Sequence, residues 1–167
     1  MKKKIAWIII LIIAIVLIYS AIFLRPKSID LTLHGVMYSG DTVLDDNVEV
    51  HIKGSYVDSP IRENSFTGKF EVSSFDYTST YDLCTVGFMD CFPEKIGPLI
   101  YDLSENGNPK LKTLGFIWIE DEWKSIIIKV QDEDYCKDIE GSVFIVVPAK
   151  DLKEARDLNK FETSWIS

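Results

Sequence analysis

Residues 47–57 read NVEVHIKGSYV and residues 65–72 read SFTGKFEV, and the fold turns on the period of these two runs. In the first, Val48, Val50 and Ile52 alternate with Glu49, His51 and Lys53. Successive Cβ atoms of a strand point to opposite faces, so an apolar residue at every second position marks a strand with one buried and one wet side. The second run repeats the pattern with Phe66, Phe70 and Val72. It places Gly68 in mid-strand, where a missing side chain suits a bulge or a close approach of another backbone. The stretch DSPIREN between them supplies turn chemistry, so the two runs are expected to pair as antiparallel neighbours.

Working outward, LKTLGFIWI (111–119) and WKSIIIKV (123–130) are joined by Glu120, Asp121 and Glu122, a short acidic turn. Both runs are apolar on both faces, which predicts a sheet centre covered on each side. LTLHGVMY, a segment around LCTVGF, GPLIYDL and GSVFIVV bring the number of candidate strands to about eight, spaced as in a sandwich or barrel. DLKEARDLNKF, after Pro148, is the segment with helical spacing. Asp151 is placed to cap it, and Leu152, Ala155 and Leu158 recur at three-residue intervals to face the sheet. The expected fold is therefore mainly β: an antiparallel β-sandwich or barrel of about eight strands with one C-terminal α-helix, preceded by a single N-terminal transmembrane helix.

That last element comes from Ile5–Leu24, twenty residues without a formal charge. As a helix they extend about 30 Å, the thickness of the hydrocarbon core of a bilayer. A cleaved secretory signal has a shorter apolar run and small residues at both positions before the cut. Here the candidate pairs Ile18/Ser20 and Tyr19/Ala21 each contain a bulky member, so a retained signal-anchor is expected. Trp7, Tyr19 and Phe23 fall near the ends of the span, at headgroup depth. Lys2, Lys3 and Lys4 precede it, and Arg25 and Lys27 follow it, which favours an inside amino terminus. Beyond Lys27 lie all 26 Asp and Glu against 13 of the 18 Lys and Arg, a net of −13, consistent with an exported domain. The expected organisation is a cytoplasmic tail at 1–4, a transmembrane helix at 5–24, a linker at 25–29 and an extracytoplasmic β-rich domain at 30–167. Four residues inside form no domain, so any signal across the membrane requires a partner.

The exported part is long enough to bury about two-thirds of its unfolded surface without staples. Three cysteines, Cys84, Cys91 and Cys136, are too few for a disulfide framework, although Cys84 and Cys91 are placed to close a small loop. There is no CxxC, and His34 and His51 are distant in sequence from the thiols, so no metal site is expected. QDEDYCKDIEG carries Asp132, Asp134, Asp138 and Glu140, but Cys136 and Lys137 stand where a Ca²⁺ loop needs an oxygen ligand and glycine. A solvated acidic hairpin is the expectation there. His34-Gly35 and Ser39-Gly40-Asp41 lack the spacing of a nucleophile elbow. A domain of this charge repels phosphates, so nucleic acid is not an expected partner.

Two resemblances bear on the fold and its location. HGVMYSGDTVLDDNVEVHIKGSYV followed by FTGKFEV resembles the start of a transthyretin-like or carboxypeptidase-regulatory-like β-sandwich, over about forty residues. The lysine-flanked apolar start, β-rich middle and VVPAKDLKEARDL end together resemble small uncharacterised membrane-anchored proteins of low-GC Gram-positive bacteria, which implies a location and no activity. A sortase also joins an N-terminal anchor to a β-barrel and uses Cys, His and Arg, for which Cys84 or Cys91, His51 and Arg62 are the available residues. This chain has YDLCTV in place of the T-L-x-T-C strand and no arginine between Arg62 and Arg156. The glycine cleavage site and early glutamate of type IV pilins are absent.

No catalytic, cofactor-binding or metal-ligating set is assigned on these grounds. Three function classes follow. The favoured one is a membrane-tethered extracytoplasmic binding or accessory module, held to the lipid bilayer by residues 5–24 and contacting a membrane or envelope protein; Tyr56, Tyr77, Tyr81 and Trp165 are its candidate contact residues. The second is a small-ligand-binding β-barrel, and the third a thiol transpeptidase of the sortase type. An exposed aromatic patch, a large apolar pocket, or a cleft with convergent Cys and His would distinguish them.

Overall fold

The structure is a computed structural model that describes residues 10–14, 26–58, 63–91, 94–104 and 108–161. Residues 10–14 are helical, and Ile10, Leu11, Ile12 and Ile13 are more than half exposed. Among the described residues no helix is long and apolar enough to cross a membrane. The rest of the expected 5–24 span lies outside the described residues.

The alternating runs form strands. β1 (Lys27–Ser39), β2 (Thr42–Val57) and β3 (Asn64–Val72) make an antiparallel meander. A short helix α1 (Tyr77–Thr80) leads to β4 (Asp82–Leu83), β5 (Val86–Cys91) and β6 (Glu94–Asp102). β7 (Leu111–Glu120) and β8 (Ser125–Val130) flank a 3₁₀ turn at Asp121–Trp123, and a short helix α2 (Glu133–Cys136), β9 (Val143–Val147) and helix α3 (Leu152–Leu158) follow. The sheet order is β6-β5-β3-β2-β1-β9-β8-β7, and β7 pairs back onto β6, so the sheet closes. The architecture is the barrel of the two expected forms, since a sandwich leaves its sheets open.

The nine strands among the described residues, against about eight expected, reflect one interruption. β4 and β5 both pair with the same edge of β6, Leu83 opposite Tyr101 and Met89 opposite Ile96, and the Cys84 N–H donates to Ile100 O at 2.8 Å between them. They are one barrel stave broken at Cys84 and Thr85. β1 begins inside the expected linker, because Lys27 already pairs with Tyr56.

An eight-stave barrel is just wide enough for its own side chains. Here Met37, Val50, Ile52, Phe66, Phe70, Leu99, Tyr101, Ile117, Ile126, Ile128 and Ile145 are all buried in one continuous core. Val48, Val50 and Ile52 point inward while Glu49 and Lys53 are exposed, as their alternation requires. Gly68 faces Gly54 across β2 and β3, and a Cβ on Gly68 would sit 2.3 Å from Lys53 O, so the expected close approach is present.

The two-sided apolar character of β7, β8 and β9 has its explanation outside the barrel. Val36, Tyr38, Trp118, Ile127, Phe144 and Val146 form a second buried cluster on the outer wall. α3 covers it with Ala155, Leu152 and Leu158, and Phe161 stacks on Trp118 at 5.2 Å. Asp151 caps α3 as expected, accepting from the Glu154 N–H at 2.8 Å, and the Glu154 carboxylate accepts from the Lys150 N–H at 2.9 Å. The helices α1 and α2 were not expected from the sequence.

Candidate functional site

At the end of the barrel where β1 starts, a cleft of about 580 Å³ opens between Lys27–Leu31, the end of β2, the start of β6 and the β7–β8 turn. Its inner wall is Trp123, 6 % exposed, which packs against the rings of Tyr56, Phe66 and Phe88 at centroid distances of 5.6, 5.2 and 5.9 Å. The turn that delivers Trp123 is unusual. Asp121, Glu122 and Trp123 have φ of 50°, 56° and 74°, three successive residues in the left-handed region without a glycine. Each such residue costs about 1–2 kcal/mol. Burying a tryptophan, at 150–250 Å² and about 25 cal/mol per Å², returns roughly 4–6 kcal/mol, enough to hold the turn.

The rim carries both signs of charge. Asp30, Asp58, Asp121 and Glu122 line it with Lys27 and Lys95. Lys95 is fixed: its ammonium donates to Tyr56 Oη at 2.6 Å and to Asp58 Oδ1 at 3.1 Å. Burial pulls its pKa down, but those two hydrogen bonds outweigh it and leave the group above the ordinary lysine value. Asp30 is paired with Lys53 at 3.2 Å, and that contact holds its carboxyl below the usual range. Lys27 lies 3.7 Å from Glu122, and both are largely exposed. Asp121 has no side-chain partner among the described residues.

The residues singled out from the sequence are spread over the molecule. Tyr56 is core, 5 % exposed, and Tyr77 and Tyr81 pack against the same core, so these three form no exposed aromatic patch. Trp165 and Arg62 lie outside the described residues. His51 stays on the wet face of β2, 3.3 Å from Glu71 and 3.7 Å from Asp30, and His34 lies 4.0 Å from Glu49. Cys84 and Cys136 carry free thiols. Cys136 Sγ reaches Val130 O at 3.8 Å, and burial first, then the Asp132 carboxylate, push its pKa up. Among the described contacts none joins a cysteine to a histidine or an arginine. Nothing is described of the Cys91 side chain.

The acidic run joins the antiparallel strands β8 and β9 and is solvated at Asp134, Asp138 and Glu140, as expected, with one departure. Asp132 is 2 % exposed, caps α2 by accepting from the Asp134 and Tyr135 N–H groups, and pairs with Lys112 Nζ at 3.1 Å. Lys112 in turn lies 4.7 Å from the centre of the Tyr77 ring. The cluster ties α2 to β7 and α1. Among the described residues no group of His, Cys, Asp and Glu is arranged to hold a metal ion. The cleft itself was invisible in the sequence, because Asp121 and Glu122 read only as a turn and Trp123 as the first residue of a strand.

Comparison with protein-family models, with curated proteins and with solved structures finds no match.

Proposed function

We propose that this chain is a membrane-tethered extracytoplasmic binding module whose recognition feature is the cleft at the Lys27 end of the barrel. The observation that carries the reading is the strained Asp121–Trp123 turn, which closes the barrel with Trp123 and sets two carboxylates on the rim. Backbone held in a costly conformation concentrates at sites where geometry is used. Three further observations support it. The barrel interior is filled by side chains, which favours binding at an end over binding in a lumen. The Cys136 thiol has a carbonyl and a carboxylate as its described neighbours, with no histidine or arginine to stabilise a thiolate, which disfavours the transpeptidase class. The exposed apolar helical residues Ile10–Ile13 fit a segment whose cover is lipid.

Complementation of a gene deletion tests this. The Asp121→Asn/Glu122→Gln double variant should accumulate at the membrane at wild-type level and fail to complement. A variant with Cys84, Cys91 and Cys136 all changed to alanine should complement at matched protein level. The reverse pattern overturns the module reading and restores thiol chemistry.

A further inference from the structure

Building on that reading, we infer that the cleft takes a group that carries an anionic oxygen and a primary ammonium together, of the phosphoethanolamine kind, at the membrane surface. The charges on the rim argue for both halves. Lys95 spends two of its three N–H donors on Tyr56 and Asp58, and among the described residues the third has no acceptor. A fixed ammonium with an unspent donor favours an anionic oxygen. Asp121 has no described side-chain partner, and the described partner of Glu122 is Lys27 at 3.7 Å, beyond hydrogen-bond length. These carboxylates favour an N–H donor.

A simple anion meets four carboxylates against two lysines in this cleft, and a simple cation meets the pinned Lys95. A group bearing both charges offers an acceptor to the spare Lys95 donor and N–H donors to Asp121 and Glu122, which neither half does alone. A quaternary ammonium is the poorer fit. It has no N–H for the carboxylates, and the aromatic cage that recognises such groups is missing: Trp123 has its ring against Tyr56, Phe66 and Phe88.

Position names the source to test first. Lys27 is the third residue after Leu24, so on the tethered reading the cleft begins within about 10 Å of the end of the span, the contour of three extended residues. The headgroup layer extends roughly 5–7 Å beyond the hydrocarbon, which places lipid headgroups in reach.

The test uses the full chain in non-ionic detergent micelles, titrated calorimetrically with glycerophosphoethanolamine, glycerol phosphate and ethanolamine. The whole headgroup should bind at least about tenfold more tightly than either half, a difference of about 1.4 kcal/mol. Lys95→Met and the isosteric Asp121→Asn should each weaken it by about tenfold, with far-UV circular dichroism unchanged. In nanodiscs, replacing phosphatidylcholine with phosphatidylethanolamine should raise the apparent Kd for the soluble headgroup if lipid is the source, and leave it unchanged if a free molecule is. The inference is overturned if either half binds as well as the whole, if no heat appears up to about 10 mM, or if Asp121→Asn binds as wild type does. Protease treatment of intact protoplasts separates the two levels. Loss of a C-terminal tag without headgroup binding overturns this inference alone, whereas protection of the tag overturns the tethered reading on which it rests.

Discussion

Gly68 shows how a single position is fixed by its neighbour strand. Replacing glycine with alanine at a tolerant site stabilises by about 0.4–1 kcal/mol through the unfolded chain. At Gly68 the new Cβ would meet Lys53 O at 2.3 Å and the Gly54 Cα at 2.5 Å, backbone atoms that cannot rotate away. Gly68→Ala is therefore expected to destabilise, by roughly 2 kcal/mol or more, seen as a lower urea midpoint. Tyr101 contributes to the response to alkali. Its hydroxyl donates to Phe70 O at 2.5 Å inside the barrel, and burial first, then Glu71, raise its pKa above the ordinary 10.0. Tyr77, Lys95 and Lys112 are raised as well. A group whose folded pKa exceeds its unfolded value contributes stability that is complete below the unfolded value and lost as pH rises through the folded one. Stability should thus decline above about pH 10. Tyr101→Phe should be less stable at neutral pH, by about 1–3 kcal/mol for the orphaned carbonyl, yet lose less between pH 9 and pH 11. Urea midpoints across that range decide it. Gly68 was legible in the sequence because a glycine interrupts a clear alternation. The three left-handed residues at 121–123 were not, since none is glycine or asparagine and the force that holds them is the burial of Trp123 at the barrel end.

Elements were legible in proportion to their length. β2 and β3 run long enough for a period of two to repeat, and α3 announces itself through Asp151 and the spacing of Leu152, Ala155 and Leu158. α1 and α2 have four residues each, too few for a period of 3.6 to be seen. Their causes are side-chain hydrogen bonds: Asp132 caps α2, and the buried Thr78 hydroxyl bridges α1 to Val72 and Phe75. Covering by α3 explains why the outer wall of β7–β9 is apolar, so the helix belongs to the core and is no appendage. Ala155 is fully buried against that wall. Ala155→Asp would place a carboxylate there without a partner and should undock α3 while the barrel persists. The expected signature is faster hydrogen exchange at residues 152–158 and new binding of a hydrophobic dye, with exchange in β2 and β3 unchanged. Global unfolding at neutral pH would show instead that the barrel depends on its cover.

Closure belongs to the whole molecule, and the local pattern does not contain it. Alternation predicts that a strand has an inside, whereas a barrel forms only when tilt and stagger bring the last stave back to the first. The pairing that does this is distant in sequence: Val36 of β1 lies opposite Val146 of β9. All of the described pairings fall between Lys27 and Val147, and α3 with Phe161 covers the outer wall. Among the described residues, neither cluster draws on 10–14. Residues 26–167 expressed alone are therefore expected to stay dispersed without detergent, to give a far-UV circular dichroism spectrum dominated by β structure, and to unfold in one urea transition, as domains under about 150 residues usually do. Refolding should take milliseconds to seconds, because distant strands must meet before the sheet gains anything from closing. A spectrum dominated by helix, or a gradual loss of signal with urea, would mean that the barrel needs residues 1–25 to fold. In that case the cleft beside Lys27 would have to be studied in the full chain.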